Sequence, residues 1–426
     1  MMGKMFNFAA RLTGRCLAAV LFIYLTGCGK MTRDAVWPEA ARGPLHDQNI
    51  DLAGYQTLDP KFLDQLQESI RQELLRIDPP QPNEVKKPLN VLALSGGGMY
   101  GAFDVGVLQG WSQSGKRPEF DVITGISTGA LIAPFAFVGP KYDDFLREMY
   151  LSITPEQIYK KRRLTSILFS ESVASSEPLK KLIDRAVTPE LLQEVAAAHQ
   201  QGRRLYVGTT NLDSRKLVIW DMGAIASSGK PDALERFRTI LLASSSVPGF
   251  FPPVYIEIEV EGGKFHEMHV DGGASSSVFV HPFMLRIRKE NPAARVGSNL
   301  YVISSGKVFA DPEIVERNVL KIAGHAISSL LYAETRSDLF VIYNLALQTG
   351  MNYHSVAVPP NFAVNPNSLS LTRDETRRLY EVGYQMGATQ QGWRNKPPGA
   401  DGKDQYQLRT QFELSATQPV HVAPAE

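Results

Sequence analysis

The hydrophobic pattern changes character along the chain. Between Pro60 and Asp78, Leu63, Leu66, Ile70, Leu74 and Ile77 recur at helical spacing, which predicts one amphipathic helix. Asp59 supplies its N-cap and Pro60 its first turn, while Pro79, Pro80, Pro82 and Pro88 stop it. Basic residues do not dominate its polar face, so the apolar stripe is expected to dock on the domain rather than on a bilayer. From Leu89 onward, short unbroken runs replace the helical period: Leu89–Leu94 (LNVLAL), Phe120–Thr124, Tyr206–Thr209, Leu217–Trp220 and Leu300–Ile303. Runs of this length predict buried strands, and the helical stretches between several of them predict an α/β domain with a partly parallel sheet. Val122–Pro140 carries no charge over 19 residues. It begins as a strand and contains Gly125, Gly129, Pro134 and Gly139, so it is not read as a membrane span.

A different texture marks the N-terminus. Lys4, Arg11 and Arg15 form a basic leader with no acid among the first 27 residues, followed by the apolar run Cys16–Leu25. Ten apolar residues fall short of the ~20 needed to cross a hydrocarbon core, so the segment reads as a secretory signal. Leu25-Thr26-Gly27-Cys28 resembles a bacterial lipobox, which implies removal of residues 1–27 and lipid attachment at Cys28. Residues 28–87 then form a tether and the amphipathic helix. The expected location is the cell envelope, and Gly29 after the lipidated cysteine points to the outer membrane.

Composition narrows the classes. A chain of 426 residues with 43% hydrophobic and 21% charged residues is globular, with one large domain or two medium ones. Lys plus Arg number 45 against 44 for Asp plus Glu, which gives no electrostatic basis for nucleic acid as a partner. Cys16 and Cys28 are the two cysteines, so a disulfide scaffold and a cysteine-ligated zinc site are excluded. No internal repeat is visible. After Gly392 the chain turns Pro-, Gly- and Gln-rich, and residues 393–426 are expected to be a loosely held tail.

Three glycine-bearing segments carry the chemistry. Ser95-Gly96-Gly97-Gly98-Met99-Tyr100-Gly101 follows a strand and leads into the helix-like stretch Ala102–Trp111. It satisfies G-x-G-x-x-G, with Asp121 20 residues on, but Asp121 begins a strand where a dinucleotide fold needs an acid at a strand's end. What the turn offers is backbone N–H groups at a helix N-terminus, suited to an anionic oxygen. Gly125-Ile126-Ser127-Thr128-Gly129 is G-x-S-x-G, the spacing of a serine on a sharp strand-to-helix elbow; an ordinary turn serine is the competing explanation. In His269-Val270-Asp271-Gly272-Gly273 an aspartate precedes a freely bending Gly-Gly pair, although an Asx-turn acid has the same appearance. His266, Glu267, His269 and Asp271 are all ligand types. They do not form H-E-x-x-H, and on a strand His266 and His269 point to opposite faces, so no metal is assigned.

The order G-G-G-x-x-G, G-x-S-x-G 29 residues later, and D-G-G far downstream resembles the patatin-like phospholipases. The likeness extends over about Leu89–Gly387, residues 88–392 being taken as the catalytic domain, and includes Thr209–Trp220 and Ala243–Pro253. It implies a three-layer α/β/α sandwich with a largely parallel central sheet. It implies a Ser127–Asp271 dyad as nucleophile and base, an oxyanion hole from Gly96, Gly97 and Gly98, and no cofactor. A membrane lipid or phospholipid is the implied substrate. Where the family often has Arg or Lys, this chain has Tyr100, which removes a cation able to touch a headgroup or stiffen the turn. The run Lys160-Lys161-Arg162-Arg163 is a candidate headgroup contact or a solvated face. Two rival readings are a Ser–His–Asp α/β-hydrolase, with His281, His325 or His354 as base, and a catalytically silent envelope lipoprotein. With a carboxylate base, activity is expected to be indifferent to pH around the imidazole pKa of about 6.5.

Overall fold

The computed structural model of the chain describes residues 68, 72, 88–163, 170–260, 263–285, 295–309, 311, 314–363 and 365–400. Cys28 and, apart from Glu68 and Gln72 (both helical), the helix expected over 60–78 lie outside the described residues. Two compact units divide the chain: residues 1–46 with 310–331, and residues 47–309 with 332–426. In the first, the described part runs from residue 311 into the opening turns of a long helix, where Val319, Ile322, Ile327 and Leu330 are all more than half exposed. No described helix is long and apolar enough to cross a membrane.

The second unit is built in chain order from β1 (Asn90–Leu94), α1 (Gly101–Gln113), β2 (Val122–Gly125), α2 (Thr128–Val138), α3 (Asp143–Ser152), α4 (Glu177–Ala186) and α5 (Pro189–Gln200). It continues with β3 (Arg204–Asn211), β4 (Lys216–Asp221), α6 (Ala233–Ser244), β5 (Val254–Val260), β6 (Gly263–Asp271) and β7 (Asn299–Ser304). The long helix α7 (Val319–Thr349), β8 (Asn352–Ala357) and α8 (Arg373–Thr389) complete the elements used below. The strands form one sheet in the order β8-β7-β1-β2-β3-β6-β5, with β4 on the other side of β3. The five strands from β8 to β3 are parallel, while β4, β5 and β6 run antiparallel to their neighbours.

Both faces of the sheet are covered, which is why β1 reads as an unbroken apolar run. Leu92 and Leu94 face a core containing Phe103 and Trp111 of α1, Phe137 of α2 and Leu379 of α8. Their alternates Val91 and Ala93 face Leu339, Ile342 and Tyr343 of α7. The result is a three-layer α/β/α arrangement around a mostly parallel mixed sheet.

Two features of this core were not read from the sequence. First, α1 and α8 touch backbone to backbone. A Cβ on Gly106 or Gly110 would come within 2.1 Å of a carbonyl oxygen of α8, and one on Gly383 or Gly387 within 2.2 Å of a carbonyl oxygen of α1. Replacing Gly383 by Ala is expected to lower stability by about 1–3 kcal/mol, since the two helices must part to admit one methyl group; urea unfolding measures it. Second, the domain does not end at residue 392. Trp393 packs 4.8 Å from the Trp111 ring, and Arg394 and Ser355 of β8 exchange two backbone hydrogen bonds of 2.8 Å. The Pro- and Gly-rich composition concealed an extra bridge on the sheet edge; residues from 401 lie outside the described residues.

Candidate active site

The nucleophile candidate sits where β2 turns into α2. Ser127 has φ 53° and ψ −122°, a conformation rare for a residue with a side chain. The flanking glycines make the turn possible. A Cβ on Gly125 would lie 2.6 Å from Gly129 O, and one on Gly129 would lie 2.4 Å from Leu94 O. Ser127 O accepts from Ala130 N at 2.9 Å and starts the helix, and the Ser127 N–H donates to Ser244 Oγ at 3.0 Å. Ser127 is 8% exposed, at the surface end of an otherwise buried elbow.

Asp271 ends β6, with its N–H donating to Ser246 O at 2.8 Å. Its carboxylate accepts from the Gly273 N–H at 2.8 Å and lies near enough to the Ser127 side chain for that hydroxyl to favour its charged form. Burial pushes the carboxyl up to about 6, and Ser127 and Gly273 act against that rise. Residues 244–246, within the stretch Ala243–Pro253 quoted above, tie the pair together: Ser244 Oγ also donates to Gly208 O at 2.7 Å, and Ser246 O holds Asp271. Among the described residues no imidazole is bonded to Ser127 or Asp271. His269 is fully buried between Thr209 Oγ1 (2.9 Å) and Glu267 Oε2 (3.1 Å). His281 is exposed beside Phe283, and His354 stacks on Tyr301 three strands from β2. His266 is exposed on β6, and the described residues contain no group of three metal-ligand side chains.

The glycine turn corrects one assignment. The Gly96 N–H is committed to Ser277 O at 3.0 Å and is not a free oxyanion donor. Gly96 instead supplies room, since a Cβ there would stand 3.2 Å from Ser127 Cβ. Met99 N donates to Ser368 O at 2.8 Å and Tyr100 N to Gly97 O at 3.1 Å, whereas the N–H groups of Gly97 and Gly98 have no hydrogen bond among the described residues. Gly98 has φ 57°, and a Cβ on Gly97 would collide with Ser305 O at 1.9 Å. Tyr100 donates its hydroxyl to Asn365 O, so the residue that replaces the family's usual cation ties the turn to the 365–368 segment.

Sequence reasoning missed the supports of this turn. Asp338 of α7 gathers four donors on one carboxylate oxygen: Ser277 N at 2.8 Å, Ser276 Oγ and Ser277 Oγ at 3.1 Å, and Val278 N at 3.3 Å. It thereby fixes the strand exit whose Ser277 carbonyl holds Gly96. Ser305, after β7, donates its N–H to Ser95 Oγ at 2.8 Å. These partners are separated by 60–210 residues, and no local motif announces them.

With this geometry in hand, comparison with known proteins gives the class. The model of the patatin-like phospholipase family matches residues 92–284, a span that contains the glycine turn, the serine elbow and Asp271. Those residues match as a patatin-like phospholipase domain, and the mostly parallel sheet between helical layers to which they contribute is consistent with the patatin fold. The family is one of lipid acyl hydrolases acting on lipid substrates. Among solved structures, the crystal structure of VipD from Legionella pneumophila is similar at 15% identity and a TM-score of 0.34, covering 73% of this chain and 68% of that one. No curated protein sequence matches the chain.

Proposed function

We propose that the protein is a membrane-anchored lipid acyl hydrolase, of phospholipase A or esterase type, working through a Ser127–Asp271 dyad. The observation that carries this reading is the juxtaposition of a serine on a strained elbow with a buried carboxylate, with no imidazole among the described residues bonded to either. In the ionised state Asp271 takes the hydroxyl proton as Ser127 Oγ attacks the ester carbonyl. The negative charge then falls on the carbonyl oxygen, where the N–H groups of Gly97 and Gly98, without a bond among the described residues, supply donors, each worth ~3 kcal/mol in such sites. Collapse expels the alcohol, which receives the proton from Asp271, and water releases the acyl group in a second passage. The direct test is a serine-directed fluorophosphonate probe followed by peptide mapping. Label on Ser127, together with fatty acid release from a mixed phospholipid extract, supports the reading; an unlabelled, folded protein overturns it.

The pH profile follows from the raised carboxyl. Asp271 must be ionised to accept the proton, so kcat/KM is expected to fall tenfold per unit as pH drops below about 6 and to be level above it. This revises the expectation of indifference near pH 6.5, because burial moves the carboxylate into the imidazole range. Temperature separates the two groups: carboxyl ionisation is nearly athermal, whereas imidazole ionisation is strongly endothermic. The inflection should therefore stay in place on warming.

Anchoring rests on the lipobox and on the exposed run Lys160, Lys161, Arg162 and Arg163, which suits anionic headgroups. Replacing Cys28 by Ser should release the protein from membranes, since each buried methylene of the lost chains contributes ~0.8 kcal/mol. Activity on a dispersed short-chain ester should persist. Unchanged fractionation of the variant would count against lipidation.

A further inference from the structure

Beneath the glycine turn lies a carboxylate the reaction does not use. Asp104, in the first turn of α1, is fully buried. Its Oδ2 is bonded to Ser305 Oγ, and its Oδ1 has no hydrogen-bond partner. No Lys, Arg or His among the described residues forms an ion pair with it, whereas another buried acid, Asp143, is held by Arg117 at 2.8 Å. An isolated buried carboxylate without a cation costs several kcal/mol, and such groups take up a proton instead.

The hydrogen count points the same way. Ser305 Oγ lies within bonding distance of two acceptors, Asp104 Oδ2 and the Ser95 carbonyl oxygen at 3.1 Å, but it owns one proton. If Asp104 were ionised, that proton could serve one of the two and the other contact would be oxygen against oxygen. If Asp104 carries the proton, its O–H donates to Ser305 Oγ, and the Ser305 hydroxyl donates to Ser95 O. The Ser95 hydroxyl is occupied elsewhere, donating to Gly96 O at 2.9 Å and accepting from Ser305 N at 2.8 Å, so it cannot repair the count. The ionisable neighbour is Tyr150 of α3, whose phenol is bonded to Thr128 Oγ1 at 2.6 Å and is pushed up by burial.

We propose that Asp104 is a neutral carboxylic acid and the positioning residue of the oxyanion turn. Through Ser305 it clamps Ser95 at the start of the turn, and Ser305 O is the atom that walls in Gly97. Neutrality has a second consequence. The site must accept a negative oxygen beside Gly97 and Gly98, and an ionised carboxylate under the same turn would oppose that charge in a low-dielectric surrounding. The burial that raises the Asp104 carboxyl well above the carboxylate range is consistent with this state. The positioning role rests on the proposed hydrolysis; the protonation state does not.

Infrared spectroscopy and kinetics on the full chain test the two parts separately. At about pH 8, above the Asp271 carboxyl at about 6, the difference spectrum between the wild type and Asp104→Asn should contain one protonated-carboxyl C=O band. Its absence means an ionised Asp104 and overturns the proposal. Asn is isosteric with the neutral acid and its NH₂ can donate to Ser305 Oγ, so Asp104→Asn should keep kcat and KM near wild type. Asp104→Ala should lose about tenfold or more in kcat with KM little changed, as expected when transition-state donors are misplaced. Equal damage in Asn and Ala, or none in either, overturns the positioning role. If Ala fails to fold, the Asn kinetics and the band still decide. Failure of the probe to label wild-type Ser127 would remove the hydrolase reading and leave the band as a test of protonation alone.

Discussion

Replacing Ser127 by Ala, or Asp271 by Asn, is expected to lower kcat/KM on a phospholipid by about 10⁴-fold or more, and the double variant is expected to be hardly worse than either. In the proposed dyad the nucleophile and its base act as one unit. Without the carboxylate the serine proton has nowhere to go, and without the serine the carboxylate has nothing to deprotonate. Asp271→Asn preserves the shape and can still accept from the Gly273 N–H that the carboxylate now binds at 2.8 Å, so the fold of the strand end should survive. In contrast, Gln at His281, His325 or His354 should leave activity near wild type. His281 is solvent-exposed and His354 stacks on Tyr301, so neither reaches the pair. A folded histidine variant as inactive as Ser127→Ala would overturn the dyad in favour of a triad. Steady-state kinetics, with circular dichroism as the folding control, measure all of these.

The second large effect is expected at Gly97. Ala there would place a Cβ 1.9 Å from Ser305 O and 2.4 Å from Ser305 Cβ. The turn must shift, and its shift carries the Gly97 and Gly98 N–H groups away from the position of the developing oxyanion. Loss of one such donor costs about 10²–10³-fold in kcat. Because the substrate carbonyl in the ground state gains little from those donors, KM should change far less than kcat. Gly96→Ala offers the control. Its N–H is already committed to Ser277 O, so damage there would come from crowding Ser127 Cβ at 3.2 Å, and is expected to be smaller.

Part of this site was legible because its constraints are local. A serine forced to φ 53° needs small neighbours within two residues, and G-x-S-x-G records that need directly. A turn of unpaired N–H groups needs consecutive glycines, and an aspartate at a strand end is marked by the Gly-Gly that follows. The five apolar runs correspond to β1, β2, β3, β4 and β7, strands whose interior positions are buried or half-buried. The strands β5 and β8 escaped notice. β5 alternates acids and aliphatics (VYIEIEV) and β8 mixes polar with apolar residues (NYHSVA), as suits the two ends of the sheet.

The sequence by itself determined the elbow, the glycine turn, the acid at the end of β6 and the α/β pattern that brings strand ends together. Each is a short-range demand on backbone geometry or on burial, and such demands are written within a few residues. Only the tertiary structure decided which N–H groups of the turn are committed, since the partner of Gly96 lies at Ser277 and that of Met99 at Ser368. It also decided that burial pushes the Asp271 carboxyl up to about 6, because desolvation depends on everything packed around the carboxyl. The contact of Gly106 and Gly110 with α8, and the reach of Asp104 to Ser305 and of Asp338 to Ser277, belong to the same group. A residue's neighbours along the chain do not state which distant backbone will lie against it, and that is settled when the two layers close on the sheet.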